Sequence, residues 1–267
     1  MRPTLSTPSL QYYWHHPHCC RDYLCAVILV AAAALLGGCA GYSPFPMSDV
    51  VAMSKNNRGA EPIISKIRTS QTTYALRGSD FGKLREAGVT PPVLDYMQQS
   101  FVDDVDLLTR YWVTGESLGG CQHCYPQEVD LSGLATGEPV KQFPSPTAWI
   151  NNQPQGMPSW YRPIAVPFKG GGVSLDDIRE MVTKGDSEEQ ILAALHAQGL
   201  ETIIIQTDTR TIRTRPLTAI SGSELAQLRI DGVPDPVLDA VQDQFLSQFV
   251  ALERLRYLNI GKGSPQS

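Results

Sequence analysis

The sequence predicts a mainly α-helical protein, built from two related four-helix repeats, with a small β-hairpin in the second repeat. Apolar side chains recur every three or four residues, capping residues divide these stretches into helices, and the whole pattern occurs twice. Hydrophobic residues make up 42% of the chain, and 22 basic against 27 acidic residues give a net charge of −5. This composition excludes a collagen-like chain, a polytopic membrane protein and a dedicated nucleic-acid binder.

The two repeats align at two different offsets. Met53 and Met181 are 128 residues apart, and the isoleucines and leucines that follow them keep this spacing. Further along, Gly78-Ser79 corresponds to Gly222-Ser223, at an offset of 144. The longer offset places an insertion in the second repeat, around residues 201–215.

Each repeat contains the same first two helices. A serine N-cap, Ser48 or Ser174, opens the first helix, because its hydroxyl accepts a hydrogen bond from a free backbone N–H group. The second helix spans about residues 60–69 in the first copy and 187–198 in the second, where Ser187 opens it.

The third helix has signals at both ends. Ser79 or Ser223 is expected to cap its start, and Gly88 or Gly232 is the C′ glycine that ends it. Prolines then open a long fourth helix in each copy, because proline is tolerated in the first helical turn.

The fourth helix carries an apolar stripe that a polar residue interrupts at the same place in both copies, Asp104 and Gln248. Two interpretations stay open: each stripe packs on its own repeat, or the two long helices pair with each other or with a second protein. The stripes consist of Leu94, Met97, Phe101, Leu108 and Tyr111, and of Leu238, Val241, Phe245, Leu252 and Leu255.

The insertion predicts the hairpin. Residues 202–206 and 209–215 are rich in β-branched side chains and flank Asp208, which is typical of two strands around a polar turn. We expect Arg210, Arg213 and Arg215 to share one strand face. They would contact an anionic envelope polymer or, more commonly, protect a solvated strand edge.

Residues 113–172 between the copies are rich in proline and glycine and show little periodicity, so we expect an irregular, partly ordered connector. The triple glycine at its end lacks the features of a phosphate-binding loop. The predicted segments are 1–38 (leader), 39–46 (linker), 47–112 (first repeat), 113–172 (connector), 173–259 (second repeat) and 260–267 (tail).

The leader contains an apolar run from Cys25 to Leu36 that follows Arg21. The run is too short to cross a bilayer, which needs ~20 residues, and is typical of the central region of a secretory signal. Leu36-Gly37-Gly38-Cys39 comes directly after it. This sequence resembles the lipobox of bacterial lipoproteins.

That resemblance implies cleavage before Cys39 and a diacylglyceryl group on its thiol, with a further acyl chain such as palmitate on its amine. Two or three acyl chains hold a protein firmly on a membrane. Ala40 stands where an aspartate would favour inner-membrane retention in Gram-negative sorting, so the resemblance implies the outer membrane, on its periplasmic or outer face. The histidines and cysteines before residue 39 would leave with the leader.

The repeat itself resembles the short helical unit of uncharacterised bacterial lipoproteins. It covers residues 47–111 and 174–257, and the matching positions are mostly capping and core residues. The resemblance implies an envelope location and no particular activity.

Cys121 and Cys124 form the one constellation of reactive side chains in the expected mature chain. The default in an oxidising compartment is a local disulfide. A redox-active pair and a metal site remain as alternatives, although the helix start that lowers a thiol pKa and a second pair of zinc ligands are both missing.

The remaining candidates for chemistry are weak. His196 lies at the edge of an apolar stripe, and Asp103, Asp104 and Asp106 suggest a solvated helix face. No catalytic set, metal site or cofactor is therefore expected. The sequence favours a membrane-anchored protein with an interaction or scaffolding role, binding an envelope protein or itself, over an envelope enzyme centred on Cys121 and Cys124.

Overall fold

The computed structural model describes residues 43–115, 126–144, 172–201, 206–208, 211–212 and 220–260. The fold is mainly helical, as the sequence predicts, and the described residues contain eight helices and two small sheets. The first repeat contains α1 (Met47–Lys55), α2 (Ala60–Thr69), β1 (Tyr74–Ala75), α3 (Gly78–Glu86) and α4 (Pro91–Thr114). Next come β2 (Gln127–Asp130) and β3 (Lys141–Pro144). The second repeat contains α5 (Leu175–Lys184), α6 (Glu188–Gln198), β4 (Gln206–Asp208), β5 (Thr211–Ile212), α7 (Gly222–Ile230) and α8 (Asp235–Ile260).

For the first two helices, the predicted caps are right in the second repeat, and the cap predicted at Ser48 in the first repeat is wrong. The Ser174 hydroxyl accepts from the Asp177 N–H at 3.0 Å, and Ser187 caps α6 in the same way. Ser48, however, lies inside α1, whose N-cap is Pro46. At the offset of 128, Pro46 and not Ser48 is the counterpart of Ser174.

The first residue of α1 obtains its hydrogen bond from the connector. The Gln142 side chain on β3 accepts from the Met47 N–H at 2.9 Å. β2 pairs antiparallel with β3 and parallel with β1, so a three-stranded sheet joins the connector to the first repeat. Residues 126–144, which contain β2 and β3, are thus an ordered part of the connector.

The third helices begin earlier than expected. Ser79 and Ser223 lie at the second helical position, and the N-caps are Arg77 and Ser221. The predicted ends are confirmed, since Gly88 and Gly232 adopt the positive φ values of 96° and 91° that a C′ glycine accepts.

The predicted hairpin is present, although its turn is displaced. β4 and β5 pair antiparallel, with Gln206 opposite Ile212 and Asp208 opposite Thr211. Asp208 thus belongs to a strand and not to the turn. Residues 202–205 and 213–215, with Arg210, lie outside the described residues.

The two interpretations of the fourth helix both hold, for two different stripes. The predicted stripe packs on its own repeat except at its end, where Tyr111 and Leu255 are exposed. Gln248 donates to the Leu200 carbonyl at 3.0 Å, and the Thr73 hydroxyl donates to Asp104. A second buried stripe lets α4 and α8 pair with each other. Its members alternate at four and three residues: Gln98, Val102, Val105 and Thr109 on α4, and Gln242, Leu246, Phe249 and Glu253 on α8.

Candidate functional site

The contacts between the repeats are reciprocal. The Ser79 N–H donates to Asp239 Oδ1 at 2.9 Å, and the equivalent Ser223 N–H donates to Asp95 Oδ1 at 2.8 Å. Each third helix thus receives a carboxylate at its positive end from the fourth helix of the other repeat. The repeats are therefore related by a pseudo-twofold axis, like two subunits of a symmetric dimer.

Glycine permits this close approach. A Cβ atom on Gly78 would lie 2.0 Å from the Leu238 carbonyl oxygen, and one on Gly222 would lie 2.3 Å from that of Leu94. Both clashes are with backbone. The conformational freedom of glycine matters less here than its lack of a side chain.

Beside this junction lies a cavity of about 300 Å³, which we call the Arg85 pocket. It is partly open to solvent and lies where α3, α5 and α7 meet. Its volume is at the lower end of the range for small-ligand sites. Its lining residues are Arg85, Pro91, Arg179, Ser223, Glu224, Gln227 and Ile230.

The two arginines of the pocket differ in their bonding. Arg179 donates to Asp231 at 3.0 Å and to Asp176 at 2.6 Å, which fixes its guanidinium and raises its pKa despite some desolvation. Arg85 is exposed, and its side chain forms no ion pair or hydrogen bond within the part of the chain that the structure describes. Glu224 is already occupied, because it accepts from the backbone and the hydroxyl of Ser221.

The pseudo-twofold axis relates the Arg85 pocket to a surface around Arg229, which is closed by charged side chains. Arg229 donates to Glu86 at 2.9 Å and forms a second ion pair with Asp235. Lys83 pairs with Asp80 at 3.1 Å on the same surface. The two equivalent places thus differ: one is an ion-pair network and the other is a cavity.

A separate polar cluster joins the later parts of α4 and α8. The Tyr257 hydroxyl donates to Asp106 at 2.8 Å, and burial together with that bond raises the pKa of Tyr257 to about 12. Burial and the Asp106 charge also raise the pKa of Glu253, which Arg256 partly offsets from 3.1 Å. We interpret the cluster as a structural link between the helices.

Asp104 is a further acid whose pKa is raised. Burial raises its pKa to about 6, against the effect of the Thr73 hydroxyl, and its Oδ2 has no hydrogen-bond partner among the residues that the structure describes. Of the three acids expected on a solvated face, only Asp103 is exposed. The expectation is wrong for Asp104 and Asp106.

The other predicted site residues divide into two groups. His196 is exposed near the end of α6, consistent with a boundary position. Cys39, Cys121, Cys124, Arg213 and Arg215 lie outside the described residues. Within the described ranges, no three histidine, cysteine or acidic side chains are grouped to hold a metal ion.

The comparisons with known proteins give no match: no protein family, curated protein or solved structure is similar to this chain. No helix in the described ranges has both the length and the apolar character to cross a membrane.

The helical periodicity and the capping residues do not predict the Arg85 pocket. The repeat alignment does contain a signal, because Arg85 corresponds to Arg229, while Pro91 and Ile230 correspond to the acids Asp235 and Glu86. That difference indicates a pocket only when the two repeats are known to pack around a common axis, because the axis places the four residues beside the two arginines.

Proposed function

We propose that this protein is a lipoprotein of the bacterial cell envelope, anchored to the outer membrane through acyl chains on Cys39, with a non-catalytic interaction or scaffolding role. The observation that carries the location is the order of Arg21, the apolar run and Leu36-Gly37-Gly38-Cys39. The open Arg85 pocket supports the interaction role, because an arginine without a partner is suited to bind an anion.

The location is tested by the intact mass of the protein isolated from bacterial membranes. We expect a chain that begins at Cys39 and carries acyl chains. Cys39→Ser should abolish the added mass, whereas Cys25→Ser, within the leader, should leave the mature product unchanged. An unlipidated chain that retains residues 1–38 would contradict the proposal.

The same sample separates the interaction role from an envelope thiol enzyme. Two alkylations that appear only after reduction would indicate a disulfide between Cys121 and Cys124. Replacing both cysteines by serine should then leave partner binding intact, measured by co-purification of an identified partner. Loss of a thiol-exchange activity in that variant, with the fold retained by circular dichroism, would favour the enzyme instead.

A further inference from the structure

We propose that the Arg85 pocket binds an acidic residue of a partner polypeptide, whose carboxylate pairs with Arg85 while a neighbouring apolar side chain packs on Ile230. The proposal rests on the interaction role argued above, and it identifies the surface and the chemistry of recognition.

The pseudo-symmetry of the fold gives Arg85 an equivalent residue in the second repeat. At the position equivalent to Arg85, Arg229 is held by the carboxylates of Glu86 and Asp235. In the Arg85 pocket, Ile230 and Pro91 occupy the two equivalent positions. The chain therefore provides the guanidinium twice and the carboxylates once, and a ligand would supply the carboxylate that the pocket lacks.

The surrounding charges favour a carboxylate over a phosphate. Glu224 lines the pocket, and Asp231 and Asp176 lie beside Arg179. These three acids would repel a dianionic phosphate more strongly than a carboxylate with a single charge. A carboxylate also matches the planar fork of Arg85 with two parallel hydrogen bonds.

The rest of the lining favours a peptide over a simple fatty acid. Ile230 is 59% exposed, and Pro91 adds a second apolar surface. Ser223 and Gln227 provide polar groups next to them. An acidic residue beside an aliphatic one offers a carboxylate, amide groups and an apolar side chain within this volume.

The test is a titration of the full-length protein in detergent with N-acetyl-Asp-Leu-amide as the probe. The arginine side-chain Nε–H resonances are followed by NMR in protein labelled with ¹⁵N-arginine. We expect a saturable shift of the Arg85 resonance, and binding weaker by about tenfold or more with the Asn-Leu analogue, which lacks the charge.

Three variants sharpen the result. Arg85→Gln, for which binding is followed at the Arg179 resonance of the same pocket, should weaken binding by about tenfold or more. Arg58→Gln, which removes another exposed arginine, should not change it. The double variant Pro91→Asp with Ile230→Glu reproduces the acids found around Arg229. It should fill the pocket with an internal ion pair and abolish binding, with the fold checked by circular dichroism.

Several outcomes would overturn the proposal. These are no shift of Arg85 up to the solubility limit of the probe, equal binding by the Asn-Leu analogue or by Arg85→Gln, and equal shifts with inorganic phosphate or octanoate. The membrane location is measured separately by mass. A lipidated protein that binds an identified partner without using Arg85 would disprove the pocket assignment and leave the proposed function intact.

Discussion

The side-chain amides of Gln98 and Gln242 bond to each other in both directions: each Nε2 donates to the other Oε1 at 3.0 Å. Both residues are 1% exposed. They are equivalent positions of the two repeats, so the pseudo-twofold axis passes between them. A buried polar pair of this kind fixes the register of two helices at some cost in stability.

Replacing one glutamine should therefore lower the free energy of unfolding more than replacing both. Gln98→Leu or Gln242→Leu alone leaves a buried amide without its partner, and each should lower the free energy of unfolding by about 1–3 kcal/mol. The double leucine variant should regain most of that loss. Denaturant unfolding of all four proteins gives the coupling energy, and additive effects of the two changes would contradict the reciprocal bond.

The carboxylates that cross between the repeats should each contribute to stability. Asp239→Ala removes the acceptor at the start of α3, and Asp95→Ala does the same for α7. Each should lower the free energy of unfolding by about 1–2 kcal/mol, as loss of a helix cap does. Ser223→Ala is the control, because its backbone N–H still donates to Asp95, and it should change stability by less than about 0.5 kcal/mol.

The two junction glycines should not tolerate even a methyl group. Gly78→Ala and Gly222→Ala each place a Cβ against a backbone carbonyl of the other repeat, and each should cost about 1–3 kcal/mol. Thermal unfolding measures the loss. One turn later the contact differs, because a Cβ on Gly82 would meet the Arg229 side chain and not backbone, and the counterpart of Gly82 in the second repeat is Ala226. Unchanged stability in both glycine variants would disprove the close approach.

A serine hydroxyl should stabilise the start of the first helix in the second repeat but not in the first. Ser174→Ala should cost about 0.5–2 kcal/mol, because its hydroxyl caps α5. Ser48→Ala should cost less than about 0.5 kcal/mol, since Ser48 is exposed inside α1. Gln142→Ala should destabilise the first repeat instead. The comparison is made by denaturant unfolding, and an equal cost at Ser48 and Ser174 would support a serine cap in both copies.

Helix order and duplication were predictable from the sequence because they depend on local signals. Ser174, Ser187, Gly88 and Gly232 act within a few residues of their positions in the chain. The cap of α1 was not predictable, because Gln142 is distant in sequence and belongs to a segment rich in proline and glycine. Local patterns carry no information on such a partner.

The contact between the repeats escaped prediction for a different reason. The stripe that joins α4 and α8 contains polar residues at Gln98, Thr109, Gln242 and Glu253, so an apolar period does not reveal it. These side chains are buried because they have partners in the other repeat or in their own helix backbone. The Arg85 pocket depends on the same packing and was missed with it.

Asp104 should give the protein a measurable dependence of stability on pH. The pKa of Asp104 is raised to about 6 by burial, against about 3.9 in an unfolded chain. Between these values the folded state holds more protons, so the free energy of unfolding should fall as the pH rises through this window, by about 3 kcal/mol. Asp104→Asn should remove the part of that fall that is due to Asp104 and be more stable than the parent at pH about 7. Asp103→Asn, which changes an exposed neighbouring carboxylate, should keep most of the fall in stability. Denaturant unfolding at several pH values measures this dependence. If the free energy of unfolding falls equally in Asp104→Asn, another group is responsible.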